Sequence, residues 1–459
     1  MLGQLLSPEI EEYLTRRDFA GLREALSRLE TPEIADIVGE LPAEQQALVF
    51  RILPRELATE TFEYLEQEPQ KELVERLAQE QVTAILNDMS PDDRTALLEE
   101  LPATVTRRLL NNLTTEERKI ASWLLGYPED SIGRLMTPDY VSIEPHWSVE
   151  QVLEHIRRFG QDKETLNVIF VTDDNGHLVD DLRIRELLLA QKDTKISDLT
   201  DSSFVALKAT DDQETAIELF REYDRIALPV TDTEGNLIGI VTVDDVLDVA
   251  EEEATEDIQK MGGSEPLDDR YLDVPVWGLI QKRGRWLVLL FLGEMLTASA
   301  IAAYEAQLAQ AVVLALFIPL IISSGGNSGS QTATFVIRAM ALGEVELRDW
   351  KRVFWRELQS GLALGSLLGT IGLARIFLWQ QIFGSYGEHW FPLGMTIGIA
   401  LVGVVLTGTL SGSMLPFLLR WLGQDPAASS TPFVATLVDV TGILIYFTVA
   451  SFLLAGTLL

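Results

Sequence analysis

Ser323-Ser324-Gly325-Gly326-Asn327-Ser328-Gly329-Ser330-Gln331 separates an apolar run at residues 309–323 from a second at 333–340. Neither run reaches the roughly 20 residues that a helix needs to cross a bilayer. Together they read as one membrane segment interrupted by a polar, glycine-rich stretch. The pattern is that of an interrupted helix, since exposed backbone at membrane depth is tolerated only where protein or a water-filled cavity satisfies it. Working outward, apolar stretches at 286–304, 358–379, 391–419 and 433–459 bring the total to five spans.

The chain has 459 residues, enough for about three domains, with 70 acidic and 36 basic side chains and a formal charge of −34. That charge excludes nucleic acid as a partner. The sequence has no cysteine and four histidines, which excludes thiolate metal sites, disulfides and cysteine nucleophiles and argues against zinc or copper held by imidazole. The charge is unevenly placed. Residues 1–274 hold 61 of the acids and 26 of the bases, a net −35, whereas residues 275–459 are nearly neutral at +1.

Basic residues orient the spans. Lys282, Arg283 and Arg285 precede the first; Arg338, Arg348, Lys351, Arg352 and Arg356 surround the connection from the second to the third; Arg420 follows the fourth. Only Arg375 falls outside the pattern, so that side is cytoplasmic by the excess of Lys and Arg on inner loops. The acidic half is then cytosolic and the C-terminus faces out. Residues 1–11 carry no basic n-region or cleavage site, which fits an uncleaved cytosolic start.

Residues 1–130 read as short amphipathic helices marked by Leu41-Pro42-Ala43-Glu44, Leu53-Pro54-Arg55-Glu56, Met89-Ser90-Pro91-Asp92 and Leu101-Pro102-Ala103, whose starts are 12, 36 and 12 residues apart. Proline followed by an acid is a helix-start signal, and multiples of 12 suggest stacked helices in a superhelical array; an ordinary bundle is the alternative. In residues 131–245, Phe170-Val171-Thr172-Asp173 with Gly176 is matched 59 residues later by Pro229-Val230-Thr231-Asp232 with Gly235. Each copy is expected to run strand, helix, strand, turn, strand, helix, with helices at 149–159 and 214–223. This duplication resembles a tandem pair of CBS domains, most clearly in Gly239-Ile240-Val241-Thr242-Val243-Asp244-Asp245. The resemblance implies an adenine nucleotide site, although the first copy has Asp180, Arg183 and Glu186 at the positions matching Gly239, Thr242 and Asp245. A purely structural pair is the other reading.

Residues 246–275 form a connecting helix and linker. Asp248, Glu252 and Glu256 recur at four-residue steps, with Glu253 and Asp257 alongside. Like charges at that spacing each disfavour a helix by roughly 0.2–0.5 kcal/mol, so a cation should offset them. A solvated acidic face relieved by salt is the plain alternative.

In the membrane half, 276–459, Asp439 stands in Ala435-Thr436-Leu437-Val438-Asp439-Val440-Thr441-Gly442 with no basic neighbour. A carboxylate at that depth costs roughly 2.5–3.5 kcal/mol on insertion scales and by default marks an ion or proton path. Glu294 is the second intramembrane acid, and Glu305 lies at the outer end of the first span. One carboxylate with backbone or amide oxygens selects a hard cation, and magnesium is commonly held through its waters by one or two carboxylates. A two-fold dimer would supply Asp439 twice. No Walker A run or serine, histidine and acid set supports catalysis.

The glycine-rich run with Pro319-Leu320-Ile321-Ile322 before it, Leu347-Arg348-Asp349-Trp350-Lys351-Arg352-Val353-Phe354, Met414-Leu415-Pro416-Phe417, and Pro432-Phe433-Val434 leading into the Asp439 segment together resemble the MgtE family of bacterial magnesium channels. The resemblance implies an all-α superhelical N domain, an α/β tandem CBS pair, a "plug" helix and a five-helix transmembrane domain. It further implies a homodimer in the lipid of the inner membrane, not an enzyme, that takes up Mg2+ through a pore at Asp439. Oxygens around Ala435 and of Gly325, Gly326 and Asn327 would line that pore. Cytosolic Mg2+ would close it by bridging acids on matching segments: Asp92, Asp245, Asp248, Glu253, Glu256, Asp257 and Asp425. ATP would meet Arg185 and Glu186, with glutamate replacing the usual aspartate. Ser330 and Thr431 stand where the family often has asparagine. A proton- or sodium-coupled secondary transporter of divalent cations, with Glu294 as its second titrating group, is the rival reading, and a membrane-tethered nucleotide sensor is another.

Overall fold

The protein is described from a computed structural model, which covers residues 9–10, 12–267, 271–272 and 274–458. The expectation for the N-terminal 11 residues and part of the linker reading fall mostly outside these. The chain divides into two compact units, Met1–Glu251 and Glu252–Leu459.

In the first unit, helices begin at Thr31, Ala43, Arg55, Gln67, Gln79, Pro91, Ala103 and Thr115, a repeat of 12 residues throughout. A leucine or methionine precedes each start by two residues: Leu29, Leu41, Leu53, Leu65, Leu77, Met89, Leu101 and Leu113. All but Leu29 are buried. At Leu53, Leu77, Met89, Leu101 and Leu113 the backbone is extended, so one residue ends a helix and plugs the core at once. Three helices are preceded directly by Pro42, Pro54 or Pro102, whose fixed φ is ready for the turn. Helices pack on the next but one as well as on neighbours, 31–39 on 55–63 and 43–52 on 67–76. This is the stacked array.

The duplicated part forms two three-stranded sheets. In the first, β1 (Ser142–Ile143) runs parallel to β2 (Val168–Thr172), which pairs antiparallel with β3 (Leu178–Arg183). In the second, β4 (Leu207–Lys208), β5 (Ala227–Thr231) and β6 (Leu237–Thr242) repeat the order. The copies keep the 59-residue offset through the register: Val168 faces Arg183 as Ala227 faces Thr242, and each pair breaks register one residue before the end of its central strand. Gly176 and Gly235 both turn at φ +88°, a conformation open to glycine without a side-chain clash. The helices fall at Val149–Phe159 and Glu214–Tyr223, as the sequence predicts.

Helix α1 (Val243–Met261) begins in the first unit, with Val246 and Val249 buried there, and its last turns belong to the second. The second unit holds α2 (Val276–Ala303), α3 (Ile318–Ala341), α4 (Trp350–Phe383), α5 (Trp390–Trp421) and α6 (Thr431–Leu453). With the short 3-10 turns attached to some of them, they make five segments long and apolar enough to span a membrane.

The interrupted-helix expectation fails. Helix α3 runs unbroken through Gly325, Gly326 and Gly329, preceded by a 3-10 turn at Val312–Phe317. The glycines instead allow close contact between helices. A Cβ on Gly408 of α5 would sit 2.3 Å from the Gly325 carbonyl oxygen, and one on Gly412 would sit 2.1 Å from that of Gly329. Small residues that let two backbones approach are the usual device where no hydrophobic force drives helices together in lipid. A sequence window cannot distinguish a glycine that breaks a helix from one that packs it.

Candidate cation sites

Asp439 lies on α6 between buried turns formed by Val434, Val438, Gly442 and Ile443. The residue itself is half-buried, with one edge open. The carboxyl within hydrogen-bonding reach belongs to Glu294 of α2. One turn back on α6, Ala435 faces Gly326 of α3: a Cβ on that glycine would meet the Ala435 Cβ at 3.5 Å. Ser330 donates to the Thr431 carbonyl at 3.2 Å and closes the same seam. Asn327 is exposed, and its amide reaches the Ser323 hydroxyl of its own helix at 3.4 Å. Because α3 is continuous, the carbonyls of Gly325, Gly326 and Asn327 take part in helical hydrogen bonding and have only their second lone pairs for a hydrated ion.

A second group of acids surrounds Lys260 near the end of α1. The ammonium contacts Glu256 and lies 2.7 Å from Asp425 Oδ2. Asp257 is pushed up to about 6, first by burial and then by the charges of Asp425, Glu253 and Glu256, against which Lys260 acts. Asp425 Oδ1 in turn accepts the Ala427 N–H at 2.7 Å, fixing the 3-10 turn before α6.

The third group lies within the first unit. Asp92, only 7% exposed, sits at the start of the helix Pro91–Glu100. Burial raises its pKa well above the usual range, and the nearby Asp245, Asp93 and Glu164 raise it further. Asp245 is pushed up to about 7 by burial, with Asp244, Asp93 and Glu164 adding to that effect while Thr242 opposes it. The Thr242 hydroxyl donates to Asp245 Oδ2 at 2.5 Å. Glu63 also rises to about 7 through burial, and Glu164, Asp93 and Asp248 rise for the same first reason.

Buried carboxylates of one sign call for a cation. Asp92 Oδ1 is buried with no hydrogen-bond partner, which fits an oxygen awaiting a hard cation or its water. Among the described residues no three of these acids converge closely enough to ligate one bare ion.

Asp92, Asp245 and Asp248, expected from the sequence, are joined here by Glu63, Asp93 and Glu164. Asp93 adjoins Asp92 in sequence, but Glu63 and Glu164 come from segments far along the chain, and only the fold adds them. Arg185 and Glu186 are exposed at the first turn of Ile184–Leu189. Glu186 matches Asp245 under the 59-residue offset, so one duplicated position faces the acid group while its counterpart is open.

The MgtE family, described as a divalent cation transporter, matches residues 318–449. The MgtE intracellular N domain matches residues 29–130, and the CBS domain matches 132–193 and 196–252. A magnesium transporter MgtE of Thermus thermophilus is 42% identical over 349 residues, 76% of this chain and 75% of that protein. Another, of Enterococcus faecalis, is 35% identical over 73% of this chain and 72% of its own length. The crystal structure of the cytosolic domain of the Mg2+ channel MgtE in complex with ATP superposes with a TM-score of 0.51 at 36% identity, over 53% of this chain and all of that one.

Proposed function

We propose, for a chain that belongs to the MgtE family of divalent cation transporters, that it is a magnesium-selective channel for Mg2+ uptake which closes when cytosolic magnesium rises. The observation that carries the reading is Asp439, a half-buried carboxylate in the last membrane helix beside the closely packed α3 seam. Two copies in a homodimer would give a divalent ion two carboxylates, and oxygens near Ala435, Gly326 and the exposed Asn327 would meet its waters. The exposed apolar side chains of α2 and α4 suit an assembly embedded in inner-membrane lipid, with the N-terminus cytoplasmic and the C-terminus outside.

The acid groups supply the sensor. With little cytosolic Mg2+, Asp92, Asp245, Asp248 and their neighbours repel; with more, hydrated ions bridge them. The acids Glu253, Glu256, Asp257 and Asp425 around Lys260 do the same near the last membrane helix. Shifting a two-state equilibrium from 1:99 to 99:1 needs about 5.5 kcal/mol of differential binding, which several weak sites supply jointly. ATP at the open Arg185 and Glu186 position is the nucleotide reading, supported by the relative crystallised with ATP.

The test is Mg2+ flux into liposomes containing wild-type protein or Asp439→Ala. The variant is expected to fold and to carry no flux; undiminished flux would remove Asp439 from the pore.

A further inference from the structure

Gly293 on α2 lies against α6 so closely that a Cβ there would sit 2.6 Å from Thr436 Cγ2. This contact carries the next residue, Glu294, to Asp439, where the two carboxyls come within hydrogen-bonding reach. One turn further on the same face, Thr297 is 7% exposed and its hydroxyl is buried with no hydrogen-bond partner. Helix α6 has no basic residue, and the nearest base on α2, Arg285, is nine residues back and bound to Glu265 at 3.0 Å. Two ionised carboxylates in contact repel unless a cation lies between them. A buried hydroxyl with no partner is an oxygen ligand left over.

We propose that Glu294 is a second pore carboxylate of the same subunit, which with Asp439 and the Thr297 hydroxyl binds a hydrated divalent cation. The inference rests on the reading of Asp439 as the pore acid. Each subunit then presents two membrane-depth charges to the ion, which favours divalent over monovalent cations. The role is specificity-determining and the chemistry is oxygen coordination through water.

The experiment reconstitutes the full chain in phosphatidylcholine and phosphatidylglycerol vesicles and measures Mg2+ and K+ flux separately. The variants are Glu294→Gln, Glu294→Asp, Thr297→Val and Asp439→Asn. Glu294→Gln is expected to lower Mg2+ flux about tenfold, the effect of one charge-assisted contact, and to reduce the Mg2+ over K+ ratio. Glu294→Asp should restore both. Thr297→Val, which removes the hydroxyl and keeps the shape, should lower Mg2+ flux severalfold and serves if Glu294→Gln does not elute from a sizing column like wild type. Wild-type flux and selectivity in Glu294→Gln, or equal loss in Glu294→Gln and Glu294→Asp, would overturn the proposal while Asp439→Asn still abolishes flux. Flux surviving in Asp439→Asn would instead overturn the pore reading and this inference with it.

Discussion

Lys260 Nζ stands 2.7 Å from Asp425 Oδ2, tying the last turn of α1 to the loop that leads into α6. Thr431 strengthens the tie by donating its hydroxyl to the Met261 carbonyl at 3.1 Å. The helix that carries the acidic stripe is thus fastened to the start of the helix that carries Asp439. Lys260→Ala removes a partly exposed pair worth about 1 kcal/mol. The magnesium concentration that half-closes the channel should rise roughly fivefold, as read from flux against Mg2+ on the cytosolic-domain side. An unchanged midpoint would mean the tie does not take part in closing.

The acid group of the first unit predicts a pH effect with a definite sign. Glu63 and Asp245 titrate near 7 in the folded chain, against about 4 when unfolded. Between those values the folded state holds more protons, so stability is full below about pH 4 and falls as pH rises through 7. Bound Mg2+ offsets the loss by meeting the ionised carboxylates. Melting of the full chain in detergent should therefore show a larger Mg2+-induced rise at pH 8 than at pH 5.5. Equal rises at both pH values would contradict this.

Asp92→Asn removes a buried charge whose Oδ1 has no partner. In chelator the variant should be more stable than wild type, because an amide escapes the repulsion of Asp245, Asp93 and Glu164. It should also need more cytosolic Mg2+ to close. Destabilisation in chelator would show that the carboxylate is satisfied by something other than a cation.

Gly412→Ala places a methyl 2.1 Å from the Gly329 carbonyl oxygen. Separating α3 from α5 should cost about 1–3 kcal/mol and lower the melting temperature in detergent. Gly423→Ala, outside the seam at φ +72° with nothing near its Cβ, should lower it through backbone strain while leaving flux intact. A seam variant with wild-type melting would contradict the packing role of the glycines.

The sequence made the duplicated sheets legible because the 59-residue offset survives in turn glycines and strand ends alike. It also marked Asp439, since a charge stands out in an apolar helix. The 12-residue repeat is visible at four starts with proline nearby; at Leu65, Leu77 and Leu113 the same period continues with no proline before the helix. The glycine run is ambiguous in sequence because packing and breaking use the same residue. Glu294 was visible as an intramembrane acid, but its partner was not, as 145 positions separate it from Asp439. Only the close approach at Gly293 brings them together.

Closure of a magnesium pore by magnesium on one face can be watched one channel at a time. Its most direct measurement is single-channel current through the full chain in a planar bilayer while Mg2+ is raised only on the side of the cytosolic domains. Discrete Mg2+ currents are expected, with an open probability that falls as that concentration rises. Currents indifferent to it, or Mg2+ flux without unitary currents that stops when a proton gradient collapses, would rule out a magnesium-gated channel.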